Sequence, residues 1–229
     1  MRVLLLALGL AVSGPATGHA DPARDCDGID VAVTAPDPAL ASHVCEVAAD
    51  QAARLARCGI RQSRPITIAI VPGIEGLPGN CVGAFHCVTD EVEVVLPRTF
   101  AERDAPDFIY RGLSPEAAFA SVLRHELTHA LLEHTTEASP INSAAHEYIA
   151  SAFQIDAMTE EERATFLLVN GEKPVKSLET LNMFIYGFLP GRFATAAWLH
   201  FSDPGNGCAF IEQVIAGEVI IGVPDLNPP

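Results

Sequence analysis

The chain has 229 residues, of which 49% are hydrophobic and 19% are charged, so its composition excludes a disordered protein. Its formal net charge of −15 argues against a nucleic-acid-binding protein, because no cluster of Lys and Arg offsets the acidic excess. We therefore expect a globular protein that has no nucleic-acid partner.

The first twenty residues have the order of a secretory signal peptide. Met1-Arg2 gives a positive start, and the apolar run from Val3 to Val12 is too short to span a bilayer. Small residues then lead to Ala20, after which we predict cleavage. The mature protein would be periplasmic or secreted, without a membrane anchor. The alternatives are an N-terminal core helix or a membrane anchor.

The mature chain contains six cysteines, and an even count behind a signal peptide favours three disulfides. Cys81 and Cys87 flank a short turn-like segment, so we predict that they pair with each other. The pairing of the other four is left open by the sequence: Cys26, Cys45, Cys58 and Cys208. A zinc cluster of cysteines is disfavoured because no CxxC pair is present.

The first half of the chain, residues 21–113, contains the predicted strands. Residues 21–36 are predicted to be extended, and helical spacing of apolar residues follows them. The predicted elements are a helix over Pro38–Arg57, a strand over Pro65–Val71, and a hairpin of Cys81–Val88 and Glu91–Leu96 that turns at Thr89-Asp90.

The second half, residues 114–229, is predicted to be helical. Ser114 is a suitable N-cap, and the helix after it is apolar on most of its circumference, which predicts a central, buried position. Two further helices are predicted: one over Pro140–Asp156, and one from the capping box at Thr159–Glu162 to Asn170-Gly171. After a polar break at 172–176, helices continue with interruptions at Pro190-Gly191 and 203–205. This separation predicts an α+β fold in which a small mixed sheet packs on the central helix and a mainly helical C-terminal lobe follows.

The segment HELTH, from His125 to His129, lies in the predicted central helix. Residues four apart are separated by about 40° around a helix, so the two imidazoles share one face and can bind one ion. Zinc suits such nitrogen ligands and leaves room for a water molecule. Glu126 lies about 100° from His125, where it can reach that water and accept its proton. The alternative is a core helix without metal, in which these buried polar groups would be costly to leave unpaired.

A third protein ligand must come from elsewhere in the chain. His134 lies about 140° around the helix from His129, so we expect it to cap the helix or face solvent near the C-terminus. Glu147, eighteen positions after His129, is better placed because the intervening loop lets its helix fold back. His146 and Asp156 are weaker alternatives.

HELTH followed by the glutamate of HEYIA resembles the gluzincin zinc metallopeptidases, and also small secreted bacterial proteins of unknown function with a peptidase-like HExxH core. The resemblance covers roughly residues 60–156. It implies a single zincin-like domain over residues 21–229 that binds one zinc ion. The implied ligands are His125, His129 and Glu147, with Glu126 as the general base.

The chain departs from the gluzincin pattern at Ser151. Gluzincins often carry an acidic residue four positions after the ligand glutamate, and that acid orients a histidine. Ser151 stands at this position, so the support of the ligands has to come from another residue.

The resemblance implies a secreted or periplasmic zinc-dependent metallopeptidase. It would hydrolyse peptide or protein substrates through a zinc-bound water activated by Glu126. The main alternative is a non-catalytic zinc-containing binding or scaffold protein with a peptidase-like fold, and a third is a disulfide-stabilised module without metal. Glu126 favours the enzyme, because a purely structural site has no use for a base beside its ligands.

A peptidase also needs a hydrogen-bond donor for the negative oxygen that develops on the substrate. The candidates are Tyr186, Tyr148 and His200, with Tyr110 and His146 also open. The hairpin within Cys81–Leu96 could bind an extended substrate by backbone pairing, or it could be an ordinary structural hairpin.

Overall fold

A computed structural model describes residues 23–78, 80–103, 108–171 and 177–222. The predicted signal peptide, residues 1–20, and the predicted polar break at 172–176 lie outside the described residues. Within the described ranges the chain forms five strands and eight α-helices. The fold is therefore α+β, as the separation of strands and helices along the sequence predicts.

The sheet is mixed, with the strand order β1-β2-β3-β5-β4. The strands are β1 (Arg24–Asp25), β2 (Val31–Thr34), β3 (Ile66–Val71), β4 (Gly83–His86) and β5 (Glu91–Val95). β2, β3 and β5 are parallel, whereas β1 and β4 pair antiparallel at the two edges. The predicted hairpin is confirmed as β4 and β5. The segment predicted only as extended contributes two strands.

The helices predicted over residues 38–57, 140–156 and 159–170 are confirmed to within about three residues, whereas Pro190-Gly191, predicted as an interruption, begins a helix. They are α1 (Pro38–Ala56), α2 (Pro97–Ala101), α3 (Pro115–Thr136), α4 (Ser143–Asp156), α5 (Glu160–Asn170), α6 (Met183–Phe188), α7 (Pro190–Phe201) and α8 (Gly207–Ile215). Side chains of Asp37, Ser114 and Thr159 accept backbone N–H groups at the starts of α1, α3 and α5. These caps satisfy N–H groups that have no partner within the helix. The short helix α2 was not predicted.

Helix α3 is the centre of the molecule. It packs against α1, α2 and α4, and against strands β4 and β5 of the sheet. Buried side chains lie on most of its circumference, including Phe119, Leu123, Leu127 and Leu131. Residues from the sheet and from the helical half join in one hydrophobic core around it. The predicted central position of this helix is confirmed.

Two disulfides connect distant parts of the fold. Cys26 is bonded to Cys45, and Cys58 at the end of α1 is bonded to Cys208 in α8. The second bond joins the sheet half to the helical half across 150 positions of sequence. Disulfides persist in oxidising compartments, so both are consistent with a periplasmic or secreted protein. No helix in the described ranges is long and apolar enough to cross a membrane.

The predicted disulfide between Cys81 and Cys87 is wrong, since both cysteines are free. Strand β4 lies between them, and four extended residues already span about 13 Å. A disulfide requires Cα atoms within about 7 Å of each other. A turn between the two cysteines would have allowed the bond, and the strand excludes it.

The expectation that His134 caps the helix or faces solvent is also wrong. His134 is buried, and its Nε2 lies 3.1 Å from Oδ1 of Asp90 in the β4–β5 turn. The backbone N–H of Ser63 donates to His134 Nδ1 at 3.4 Å, and Arg64 donates to both oxygens of Asp90 at 2.6 and 3.1 Å. We call Ser63, Arg64, Asp90 and His134 the Asp90 cluster. Their hydrogen bonds connect the end of α3 to the β4–β5 turn.

Candidate metal centre

Helix α3 presents His125, Glu126 and His129 close to strand β4. The Nε2 atoms of the two histidines lie 3.1 Å apart, as expected for residues one helical turn apart on one face. Both side chains are largely buried, with 11% and 14% of their surfaces exposed. A hydrogen bond between two imidazole nitrogens requires a proton on one of them. Without that proton, two lone pairs face each other, and a cation between them would bind both.

Helix α4 brings Glu147 to the two imidazoles, as the sequence predicts. The side chain of Asn142 caps this helix by accepting the N–H of Ala145. Oε2 of Glu147 lies 3.3 Å from His125 Nε2, and Oε1 lies 3.6 Å from His129 Nε2. The three residues form a group whose ligand atoms all lie within 4.8 Å of one another.

The donor set fits a small divalent cation. Tetrahedral ligand atoms at about 2.0 Å from zinc are about 3.3 Å from one another. The two histidine nitrogens lie 3.1 Å apart here, and each faces a different oxygen of Glu147, Oε2 at 3.3 Å from His125 and Oε1 at 3.6 Å from His129. Oε2 of Glu147 is also buried without a hydrogen-bond partner among the described residues, which is costly for a carboxylate. His125, His129 and Glu147 could therefore hold one metal ion.

The charges of the site are strongly coupled. Burial disfavours the charged form of His125, but the adjacent negatively charged Glu147 carboxylate outweighs it and raises the pKa of His125 to about 9. Burial opposes ionisation of Glu147 as well, yet the interaction with His125 lowers the pKa of that carboxyl to about 2. Burial and the charge of His125 lower the pKa of His129 to about 3. The Glu147 carboxylate thus favours positive charge at this centre.

Glu126 lies beside this centre without joining it. Burial raises the pKa of its carboxyl to about 7, and the charge of Glu147 acts in the same direction. His125 and the backbone N–H of Phe85 in β4 oppose this rise. A carboxyl group whose pKa lies near neutrality suits both the acceptance and the release of a proton.

Glu126 can approach the edge strand because residue 83 is a glycine. A Cβ atom at Gly83 would lie 2.9 Å from Oε1 of Glu126 and 2.5 Å from Cγ1 of Val122. Any side chain would therefore separate β4 from α3. In the antiparallel register, Ala84 pairs with Glu93. Since Val82 and Val95 form a hydrogen-bonded pair, the backbone groups of Gly83 and Phe85 point to the free edge.

One of the three candidate oxyanion donors lies at the centre. The Tyr186 hydroxyl interacts with the Glu147 carboxylate, and burial together with that negative charge raises the pKa of the phenol. Tyr148 and His200 instead hydrogen-bond to each other at 2.8 Å. That pair packs on Phe210.

The weaker ligand candidates do not enter the donor set. The His146 ring stacks on His129 with 5.9 Å between ring centres, and burial lowers its pKa. Asp156 is 3.6 Å from Arg54 and forms an ion pair with it. The sequence also left Tyr110 open as an oxyanion donor, and this residue is buried and accepts a hydrogen bond from Gln154.

Gln154 is a site residue that the sequence did not identify. Its Oε1 lies 2.9 Å from His125 Nδ1. It stands seven positions after Glu147, which is two helical turns and therefore the same face of α4. That spacing was the available signal, together with a glutamine between the apolar residues Phe153 and Ile155.

Comparison with known protein families assigns the chain to one of them. A profile of DUF6639, described as a family of unknown function, matches residues 31–224. The chain belongs to the DUF6639 family. Comparison with curated proteins finds no match, and neither does comparison with solved structures.

The centre of this DUF6639 protein opens on both sides of Glu126. One cavity of about 300 Å³ lies on the Tyr186 side, and its wall is mostly apolar. The other, of about 450 Å³, lies on the His146 side and is more polar. The first contains Val82, Phe108, Ile109, Tyr110, Val122 and Ala194, and the second contains Phe85, Cys87, Glu133, Ile141 and Ser143. Glu126 lines both cavities.

Proposed function

We propose that this protein is a secreted or periplasmic zinc-dependent metallopeptidase with a zincin-like fold. The observation that carries the proposal is the convergence of His125, His129 and Glu147 around one point, with the Glu126 carboxylate beside it. Two histidines and a glutamate form a donor set used by catalytic zinc sites. A structural zinc site is usually closed by four protein ligands, whereas three leave a position open to the cleft.

The zinc ion would be held by His125, His129 and Glu147. When bound, it would supply Lewis acidity, which makes water more acidic and polarises a carbonyl group. Glu126 would accept the proton of the attacking water and then pass it to the nitrogen of the leaving amine. The Tyr186 hydroxyl, beside Glu147, would donate to the carbonyl oxygen as negative charge develops there.

The free edge of β4 would bind the substrate backbone. The Gly83 N–H and the Phe85 C=O point to this edge, and an extended peptide could add to them as a sixth strand. The edge lies next to Glu126, so a peptide paired there would have its backbone near the proposed base. This arrangement favours a peptide or protein as the substrate.

Replacement of Glu126 by Gln tests the proposed chemistry. We expect Glu126→Gln to keep about one equivalent of zinc and to lose peptide hydrolysis by roughly 10²- to 10⁴-fold, because the amide cannot accept the proton. Glu116→Gln is the matched control, since it removes an exposed carboxylate from the first turn of the same helix. Zinc is measured by elemental analysis and hydrolysis on a broad peptide library.

The same measurements separate the alternatives. A wild-type protein that binds zinc but cleaves nothing in the library, like Glu126→Gln, would be a non-catalytic zinc-binding or scaffold protein. Less than about half an equivalent of zinc in protein purified without chelators would contradict both metal hypotheses.

A further inference from the structure

We propose that Gln154 is the positioning residue for the metal ligand His125, and that Tyr110 and Ser121 fix the orientation of its amide. The inference concerns the orientation and the tautomer of the His125 imidazole. The importance of that tautomer for metal binding rests on the proposed function. Gln154 would thereby take the place of the acidic residue that gluzincins often carry where this chain has Ser151.

The contacts form a closed, buried network. Nδ1 of His125 lies 2.9 Å from Oε1 of Gln154. Nε2 of Gln154 donates to the Tyr110 hydroxyl and to Oγ of Ser121, each at 2.8 Å. Gln154 and Ser121 are each 2% exposed, so water does not compete for these groups. The Gln154 side chain thus has three hydrogen-bond contacts, all of them with protein groups.

The two hydroxyl groups select one orientation of the amide. A primary amide has two hydrogens on nitrogen and an oxygen that only accepts. In the observed orientation both hydrogens have acceptors, and the oxygen faces His125. The flipped amide would use one hydrogen toward His125 and leave the other without an acceptor in a buried position. Buried polar groups without partners are disfavoured, so the observed orientation is preferred.

This orientation determines which nitrogen of His125 carries a proton. Because Oε1 of Gln154 can only accept, Nδ1 of His125 has to donate, and a neutral imidazole then has its lone pair on Nε2. Nε2 is the atom that faces His129 and Glu147, at 3.1 and 3.3 Å. The network therefore prepares the tautomer that a metal ion requires. It does so with a neutral partner that adds no negative charge to the site.

Replacement of Gln154 tests the inference through zinc affinity, measured by competition with a chromophoric chelator. We expect Gln154→Leu to weaken zinc binding by about 10- to 100-fold, the usual effect of losing such a partner. Gln154→Glu should bind zinc at least as tightly as wild type, because a carboxylate also accepts from Nδ1–H and from both hydroxyls. Ser151→Ala, a buried change on the same helix, should leave the affinity unchanged.

A second measurement follows the proton itself. In ¹H–¹⁵N spectra of the imidazoles, wild type and Gln154→Glu should show an Nδ1–H of His125 protected from solvent exchange. Gln154→Leu should lose that protection. The double variant Tyr110→Phe/Ser121→Ala keeps the glutamine but frees its amide to turn, so it should also lose protection and zinc affinity. This variant decides the question if Gln154→Leu does not fold.

The outcomes for Gln154 and for the proposed function are separable. The inference is overturned if Gln154→Leu, or the double variant in its place, keeps both wild-type zinc affinity and a protected Nδ1–H. A wild type that binds no zinc would contradict the proposed function. The imidazole spectra of the metal-free protein would then decide the role of Gln154, since the Nδ1–H bond does not require the ion.

Discussion

Helix α3 contributes to two histidine–carboxylate clusters, and they differ in how completely their polar atoms are paired. In the Asp90 cluster, His134 donates through Nε2 and accepts a backbone N–H at Nδ1, and Arg64 binds both oxygens of Asp90. At the candidate metal centre, two Nε2 atoms face each other at 3.1 Å and Oε2 of Glu147 has no hydrogen-bond partner among the described residues. The same residue types thus form a complete network in one place and an incomplete one in the other.

A structural histidine and a candidate ligand histidine differ in how their two ring nitrogens are used. A structural histidine has both ring nitrogens used by protein groups, as His134 does. At His125 the protein fixes Nδ1 through Gln154 and directs Nε2 at a space shared with other donors. Because these donors face one shared space, the site could hold a metal ion, as the Asp90 cluster could not.

The largest effect is expected from replacing one histidine of each cluster by alanine and comparing the two variants. His129→Ala should lower zinc affinity by on the order of 1000-fold, since one of three protein ligands is lost. His134→Ala should keep about one equivalent of zinc and instead lower the free energy of unfolding by about 1–3 kcal/mol, because Asp90 loses a buried partner. Zinc titration and urea unfolding measure the two effects. Equal zinc loss in both variants would show that His129 and His134 do not differ in their roles.

The sequence predicted the elements whose signals are local. Capping residues gave the start of α3 and both ends of α5 to within a residue or two, because a cap lies beside the helix that it starts. The position of Glu147 beside the two histidines also followed from helical geometry and a loop of suitable length. The pairing of β2 with β3 could not be predicted in this way, since parallel strands meet only through a long connection.

The wrong predictions concern residues whose partners are distant in the sequence. His134 was expected to cap the helix or face solvent because it lies about 140° around α3 from His129, whereas its partner Asp90 is 44 positions earlier. Gln154 was missed because glutamine is not itself a ligand type. Cys81 and Cys87 were paired by spacing alone, which ignores the strand between them.

The candidate metal centre depends on the close packing of α3 with β4. A substitution at Gly83 tests that packing. Gly83→Ala should lower the free energy of unfolding by about 1–3 kcal/mol, because its Cβ would collide with Val122 and Glu126. It should also reduce hydrolysis by displacing the Glu126 carboxylate. Gly73→Ala is the matched control, since a Cβ there meets no atom within 4 Å. Urea unfolding of both variants measures the difference, and equal stability would show that β4 can move away without cost.

The smallest expected effect tests the pairing in the Asp90 cluster through its dependence on pH. Hydrogen bonds from Arg64, with support from His134, lower the pKa of Asp90 below its ordinary value of 3.8. The ionised carboxylate therefore stabilises the fold above about pH 4, and this contribution is lost as the pH falls through the lowered pKa. Asp90→Asn should be about 1–2 kcal/mol less stable than wild type at pH 7, since charged hydrogen bonds are lost. This deficit should shrink as the pH falls below 3.8.

Asn is a suitable replacement because it tolerates the left-handed backbone of residue 90, whose φ is 51°. The change therefore removes the charge without straining the turn. Asp27→Asn, at an exposed position, controls for the loss of one negative charge from the acidic chain. Urea unfolding of the three proteins between pH 3 and pH 7 would measure the effect. A deficit of Asp90→Asn that stayed constant over this range would mean that shape, and not charge, holds the hairpin turn to α3.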